Sequence, residues 1–139
     1  MKTIVAVLAF AVSANFAHAG PFLVANYGNT YVKDWQDLVT RDFTARFTPD
    51  TWQIFVYSDA EVLPRSTQAV CKAIVGVVPK DSHQFPARQF VTTRTATVKP
   101  GKWNDDVALD FETECVRSAI DNMMIVQPAK VYRPHDQQR

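Results

Sequence analysis

The densest group of potentially reactive side chains is a run of carboxylates between positions 105 and 114. Paired carboxylates perform acid–base chemistry in glycoside hydrolysis and ligate hard cations. The spacing lacks the Asp-x-Asp-x-Asp-Gly frame of a calcium loop. Asp110, Glu112 and Glu114 are the candidate acidic site for a small secreted hydrolase, with His83 as a further candidate group. If this segment is a strand, however, the same three residues form the ordinary solvated row of an antiparallel sheet, which is the simpler interpretation.

Outside that run, the sequence offers little for catalysis. Beyond the first twenty residues the histidines are His83 and His135, and neither lies in an H-x-x-H or H-E-x-x-H frame. No G-x-S-x-G, P-loop or G-x-G-x-x-G motif occurs, and four glycines leave little room for a phosphate cradle. The sequence therefore predicts no catalytic constellation, no metal site and no cofactor.

The two cysteines, Cys71 and Cys115, are too far apart for a C-x-x-C redox motif. In an exported chain two cysteines most simply form one disulfide. Cys71 lies in the apolar run 68–78, where apolar surroundings disfavour a reactive thiolate. We therefore predict a Cys71–Cys115 disulfide, with free thiols or an intermolecular bridge as the alternatives.

Residues 1–19 have the pattern of a secretory signal peptide. Lys2 is followed by an uncharged apolar stretch, and the tripeptide Ala-His-Ala at 17–19 precedes Gly20. A membrane anchor is the alternative, but the stretch is shorter than the roughly 20 apolar residues of a spanning helix. We predict cleavage after residue 19 and a periplasmic or secreted protein. The mature chain would comprise one globular domain, 20–127, and a flexible polar tail, 128–139.

The charge balance bears on the partners. The chain has 15 basic and 14 acidic side chains, and removing Lys2 with the signal leaves 14 of each. A neutral chain has no global field that attracts nucleic acid or an anionic membrane. We predict no nucleic-acid partner and no membrane insertion after signal cleavage.

The strongest helical pattern covers residues 31–47. Its apolar positions follow a 3.6-residue period and form one stripe. The stripe consists of Val32, Trp35, Leu38, Val39, Phe43 and Phe47. This pattern predicts an amphipathic N-terminal helix. The predicted fold class is α+β, with this helix packed on a small antiparallel sheet of three to five strands, a short C-terminal helix and one disulfide.

Strand patterns occur at 51–58, 68–78 and 89–99, where β-branched and aromatic residues alternate or cluster. The run 21–27 is a candidate edge strand. We also predict a strand over 107–116 that gives way to a short helix over 117–124. Two alternatives stay open: 68–78 as a helix, and a single helix from about 105 to 124 capped by Asn104.

The candidate partner-binding residues lie on the second strand face and in the following long loop. Phe55 and Tyr57 share a strand face that is aromatic rather than polar, and is either covered by another element or a contact surface. His83, Phe85 and Arg88 lie in the loop 79–88, which is longer than a usual hairpin connection.

These observations predict a small exported, non-enzymatic protein that binds another protein. An inhibitor or immunity-type protein, or an accessory of an envelope or secretion machine, would fit. The main alternative is the hydrolase that uses carboxylates of 105–114. A third is a small-molecule carrier with a cavity lined by Trp35, Phe43 and Trp52. The partner's identity and the oligomeric state are left open.

Overall fold

A computed structural model describes residues 15–19, 22–28, 32 and 35–126 of the chain. Residues 1–14 of the predicted signal peptide and the predicted tail 128–139 lie outside the described residues. The described elements, in chain order, are β1 (Asn15–Ala19), β2 (Phe22–Gly28), α1 (Trp35–Leu38), α2 (Arg41–Arg46), β3 (Trp52–Val62), β4 (Gln68–Pro79), β5 (Phe90–Thr97) and α3 (Asp105–Ile125).

The sheet is mixed, so the prediction of an antiparallel sheet is wrong. Strands β2 to β5 form its four-stranded body, and β1 pairs with β2 at one side. β2 and β3 run parallel, whereas the other neighbouring pairs are antiparallel. A parallel pair requires a crossover connection instead of a hairpin. The segment that contains α1 and α2 provides that crossover.

The single N-terminal helix predicted over 31–47 is absent. Two short helices, α1 and α2, take its place, and Thr40 separates them with an extended backbone (φ −70°, ψ 169°). The Thr40 hydroxyl accepts a hydrogen bond from the Phe43 amide at 3.2 Å and so begins a new helix. The residues of the predicted stripe still reach the core, where all but the partly buried Val39 are buried. The apolar pattern located core residues correctly but did not reveal the break at Thr40.

The strand predicted over 107–116 is also wrong, whereas the helix predicted over 117–124 is present as the second part of a longer helix. One helix of 21 residues, α3, covers both segments, as the alternative interpretation had it. Asn104 caps it by accepting a hydrogen bond from the Val107 amide at 3.0 Å. No glycine or proline occurs between 104 and 127, and an uninterrupted segment of that length favours a helix over a strand.

α3 packs against the sheet and closes the core. Its buried stripe repeats every three or four residues and consists of Glu112, Cys115, Val116, Ala119, Ile120 and Met123. The predicted disulfide is confirmed: Cys71 on β4 is bonded to Cys115 on α3, with their Cα atoms 6.4 Å apart.

A side chain of α2 binds the C-terminal end of α3. α3 has no basic residue in its last turn, but the Arg46 guanidinium donates hydrogen bonds to the carbonyls of Met124 and Val126. A cation at this position satisfies carbonyls that lack helical partners and offsets the negative end of the helix dipole. Arg46 therefore links the crossover segment to α3. None of the helices in the described ranges combines the length and apolarity needed to cross a membrane.

Candidate binding site

The two faces of the sheet differ in what covers them. Side chains alternate along β3, so Ile54 and Val56 lie in the core beneath the helices while Phe55 and Tyr57 lie on the opposite side. We call this opposite side the outer face. Part of it lies beneath the loop 80–89, which joins β4 to β5.

A row of large side chains crosses the outer face. Tyr27 lies opposite Tyr57, Tyr57 opposite Ile74, and Ile74 opposite Val91, so that one row spans β2 to β5. Val91 is 52% exposed. The row is therefore an apolar and aromatic strip that is open to solvent at one side of the sheet.

The loop 80–89 is anchored to the sheet by Gln53. This side chain is buried, and both ends of its amide bind the loop. Its Nε2 donates to the Ser82 carbonyl at 2.6 Å, and its Oε1 accepts from the Asp81 amide at 3.3 Å. A buried amide with both groups satisfied fixes the start of the loop.

A glycine fixes the other part of the loop. Pro86 packs directly on Gly76, where an added Cβ would lie only 2.5 Å from the Pro86 Cβ. The absence of a side chain at position 76 thus permits the close approach of the loop. The same contact sets the position of Phe85, whose ring centroid lies 5.4 Å from that of Phe55 in an edge-on arrangement.

Phe55 is the centre of an aromatic cluster. Its ring also lies 5.1 Å from that of Tyr27, so three rings from β2, β3 and the loop are in contact. They border a groove of about 370 Å³, which we call the outer-face groove. Its lining residues are Tyr27, Phe55, Tyr57, Lys72, Ile74, Phe85 and Gln89.

The groove combines an apolar lining with a few polar groups. Its walls are aromatic and aliphatic, and the ammonium group of Lys72 and the amide of Gln89 can form hydrogen bonds with a ligand. Pockets of this composition bury apolar groups and use a few polar groups for orientation. Among the described residues that line it, none is a carboxylate, a histidine or a cysteine.

Three of the five predicted partner-binding residues, Phe55, Tyr57 and Phe85, meet in this groove. His83 instead lines a separate cavity of about 160 Å³ beside Gln53 and Asp81. Arg88 lies over the ring of Phe90, 5.6 Å from its centroid.

Sequence reasoning missed four lining residues of the groove: Tyr27, Lys72, Ile74 and Gln89. The strand alternation of 68–78 put Lys72 and Ile74 on one face. However, which faces join across the sheet depends on strand pairing, which no local pattern reveals.

The three residues of the predicted acidic site are not brought together. Glu112 is fully buried and accepts a hydrogen bond from the Ser58 hydroxyl at 2.9 Å. Glu114 lies on the surface, with its carboxylate oxygens 3.4 Å from Arg94 and 3.5 Å from Arg117. Asp110 is exposed. On a helix, positions 110, 112 and 114 face different directions, so the predicted common row does not form.

The aromatic residues proposed for a carrier cavity pack in the core. Phe22 and Phe43, Phe43 and Phe47, and Phe47 and Trp52 have ring centroids 5.2 to 6.1 Å apart. These contacts form a continuous chain of rings beneath the sheet. A third cavity, of about 270 Å³, lies beside Trp103 and Phe111 at the start of α3, and none of the predicted site residues lines it. Within the described part of the chain, no group of three or more potential metal ligands is present.

Comparison with known proteins gives little. No protein-family model matches the chain, and no curated protein matches it. Among solved structures, a candidate lipoprotein from Caulobacter crescentus is similar in part, with a TM-score of 0.42 and 5% identity. The similarity covers 73% of this chain and 85% of that chain. We transfer no functional residue from it.

Proposed function

We propose that this protein is exported and acts outside the cytoplasm, without catalysis, by binding another protein through the outer-face groove. An inhibitor or immunity-type role, or an accessory role in an envelope or secretion machine, fits this activity. The observation that carries the proposal is the convergence of Phe55, Tyr57 and Phe85 in one open groove.

Exposure of the groove supports this role. Phe85 is 72% exposed and Val91 is 52% exposed, next to the half-buried Tyr27, Tyr57 and Ile74. A contiguous apolar area of this kind marks an interaction surface more often than a scatter of single residues does. A few residues carry most of the binding energy of a protein interface, and tyrosine is among the residue types enriched there.

The rigidity of the groove supports it as well. Gln53 and the contact between Pro86 and Gly76 hold Phe85 in place without a partner. A preorganised surface loses little conformational entropy when it binds. Lys72 on β4 lies opposite Asp59 on β3, so both signs of charge are available to orient a partner at the groove.

Export is supported by two independent features. The first is the signal-like pattern of residues 1–19. The second is the disulfide between Cys71 and Cys115, a bond that persists mainly in oxidising compartments.

Site-specific photo-crosslinking in the producing cells tests the proposal. A photoreactive amino acid replaces Phe85 in one variant and Ile125, an 82% exposed residue at the end of α3, in the control. We expect a discrete adduct from position 85 that is absent from position 125 and is lost when Tyr57→Ser is added. If both positions give the same pattern, or position 85 gives none in exported protein with an intact disulfide, the proposal is wrong.

A further inference from the structure

Strand β2 has a neighbour on each side, and one of them lies in the predicted signal peptide. β3 pairs with one edge of β2, and β1 pairs with the other in an antiparallel register from Asn15 opposite Asn26 to Ala19 opposite Phe22. The predicted cleavage follows Ala19 and therefore falls in the short connection between the two strands. Processing would detach β1 and leave one edge of β2 without a partner strand.

β2 lacks the features that protect a natural sheet edge. Its sequence, FLVANYG, has no charge and no proline. Four of the five residues from Phe22 to Asn26 are buried, and the fifth, Leu23, is half-buried. The opposite edge strand, β5, carries Arg94 and four threonines and is largely exposed. Proteins discourage edge pairing with charges, prolines, bulges or short strands. By this criterion β5 is built as an edge and β2 as an internal strand.

The space beside β2 is also covered from the helical side. α1 contacts β1, so a strand in that place lies next to a helix. A second copy of β2 in that place would bring its own helices, which would have to be accommodated near α1. A single extended segment brings no helices.

We propose that, in the processed protein, the partner adds an extended antiparallel segment to the free edge of β2, in the place that β1 occupies here. This inference rests on the proposed function, which supplies export and a protein partner. Strand addition provides affinity through main-chain hydrogen bonds and specificity through alternate side chains.

The pairing register indicates which residues the added segment needs. Opposite the core residues Phe22 and Val24, the present strand has Ala19 and Ala17, so small uncharged residues fit at those two positions. Tyr27 belongs to β2 and also lines the outer-face groove. A segment in the place of β1 pairs as far as Asn26, the residue before Tyr27, and so ends next to the groove.

Peptide binding to the processed protein tests the proposal. The protein is purified from its native compartment, with an intact mass that begins at Gly20, and the probe is a fluorescent peptide of residues 13–19. We expect saturable binding at one site.

In an antiparallel ladder only every second peptide amide faces the neighbouring strand. N-methylation at successive positions 16, 17 and 18 should therefore alternate between little effect and a loss of about tenfold or more, because the methyl group removes a ladder hydrogen bond.

Four results would overturn the proposal: no binding, equal effects of N-methylation at successive positions, a dimer of the processed protein by light scattering, or a native mass that still contains residues 15–19. The crosslinking experiment at Phe85 reports on the groove instead of the β2 edge. If an adduct forms at Phe85 but the peptide does not bind, strand addition is refuted and the proposed function still stands. Loss of the Phe85 adduct would remove the proposed function itself.

Discussion

The same strands supply two surfaces that differ sharply. On the core face, Ile54 and Val56 are fully buried beneath the helices, and the Cys71–Cys115 bond ties the sheet to α3. On the outer face, the loop 80–89 covers part of the sheet, and Phe85 remains 72% exposed. The difference indicates that the core face stabilises the fold, whereas the outer face is available for binding. Substitutions on the two faces should therefore separate stability from binding.

The largest effect is expected in the core. Phe43 is fully buried and its ring contacts those of Phe22 and Phe47. Replacing it by alanine leaves a cavity, so Phe43→Ala should lower the free energy of unfolding by about 3–5 kcal/mol. Urea unfolding of the oxidised protein measures this loss. A change below about 1 kcal/mol would show that the ring cluster is not the packed core described here.

Removing the disulfide should have the next largest effect. The bond closes a loop with a sequence separation of 44 residues, for which the chain-entropy model gives an upper limit of roughly 4 kcal/mol. We expect the Cys71→Ala/Cys115→Ala variant to lose about 2–4 kcal/mol in urea unfolding. The reduced wild-type protein should unfold close to this variant. If the double variant and the reduced protein unfold at the same urea concentration as the oxidised wild type, the disulfide does not stabilise the core.

A smaller effect, confined to the outer face, is expected at Gly76. An alanine there would overlap with Pro86, so Gly76→Ala should displace the loop at a cost of about 1–3 kcal/mol. Hydrogen exchange at the Asp81 amide, which binds Gln53, reports whether the loop has moved. Adding Pro86→Gly removes the overlapping ring and should recover part of the stability. Independent, additive effects of the two substitutions would refute this contact.

The smallest effect on stability, and the largest on binding, is expected at Phe85. Because the side chain is mostly exposed, Phe85→Ala should change the free energy of unfolding by less than about 0.5 kcal/mol. Recovery of the partner crosslinked from a second groove position, Tyr57, should fall strongly. Ile125→Ala, which truncates an equally exposed residue, should change neither quantity. If Phe85→Ala and Ile125→Ala give equal recovery of the crosslinked partner, Phe85 does not contribute to binding.

The sequence revealed the local elements of the sheet better than their arrangement. Alternation predicted strands at 51–58, 68–78 and 89–99, and the structure has β3, β4 and β5 there. The parallel pairing of β2 with β3 depends on contacts between distant segments, so no local period could indicate it. The outer-face groove was missed in part for the same reason, since Tyr27 joins it only through that pairing.

The helical regions show two further limits of local patterns. Over 107–116 the odd-numbered positions are apolar except for Thr113, and this alternation is typical of a strand. The long segment without glycine or proline, which favours a helix, was the better guide. Glu112 also obscured the buried stripe of α3, because a buried carboxylate needs partners from distant segments, such as the Ser58 hydroxyl, and the local sequence does not show them. In 31–47 the side chain of Thr40 ended one helix and began another without changing which residues are buried.

Hydroxyl-radical footprinting of the protein in its native compartment, compared with the purified protein, tests the central claim most directly. We expect the oxidation of Tyr27, Tyr57 and Phe85 to fall several-fold in the compartment, because a partner covers the outer face. Oxidation of Ile125, at the end of α3, should stay the same. Equal oxidation of the three aromatic residues in both samples, or protection that appears at α3 instead, would contradict it.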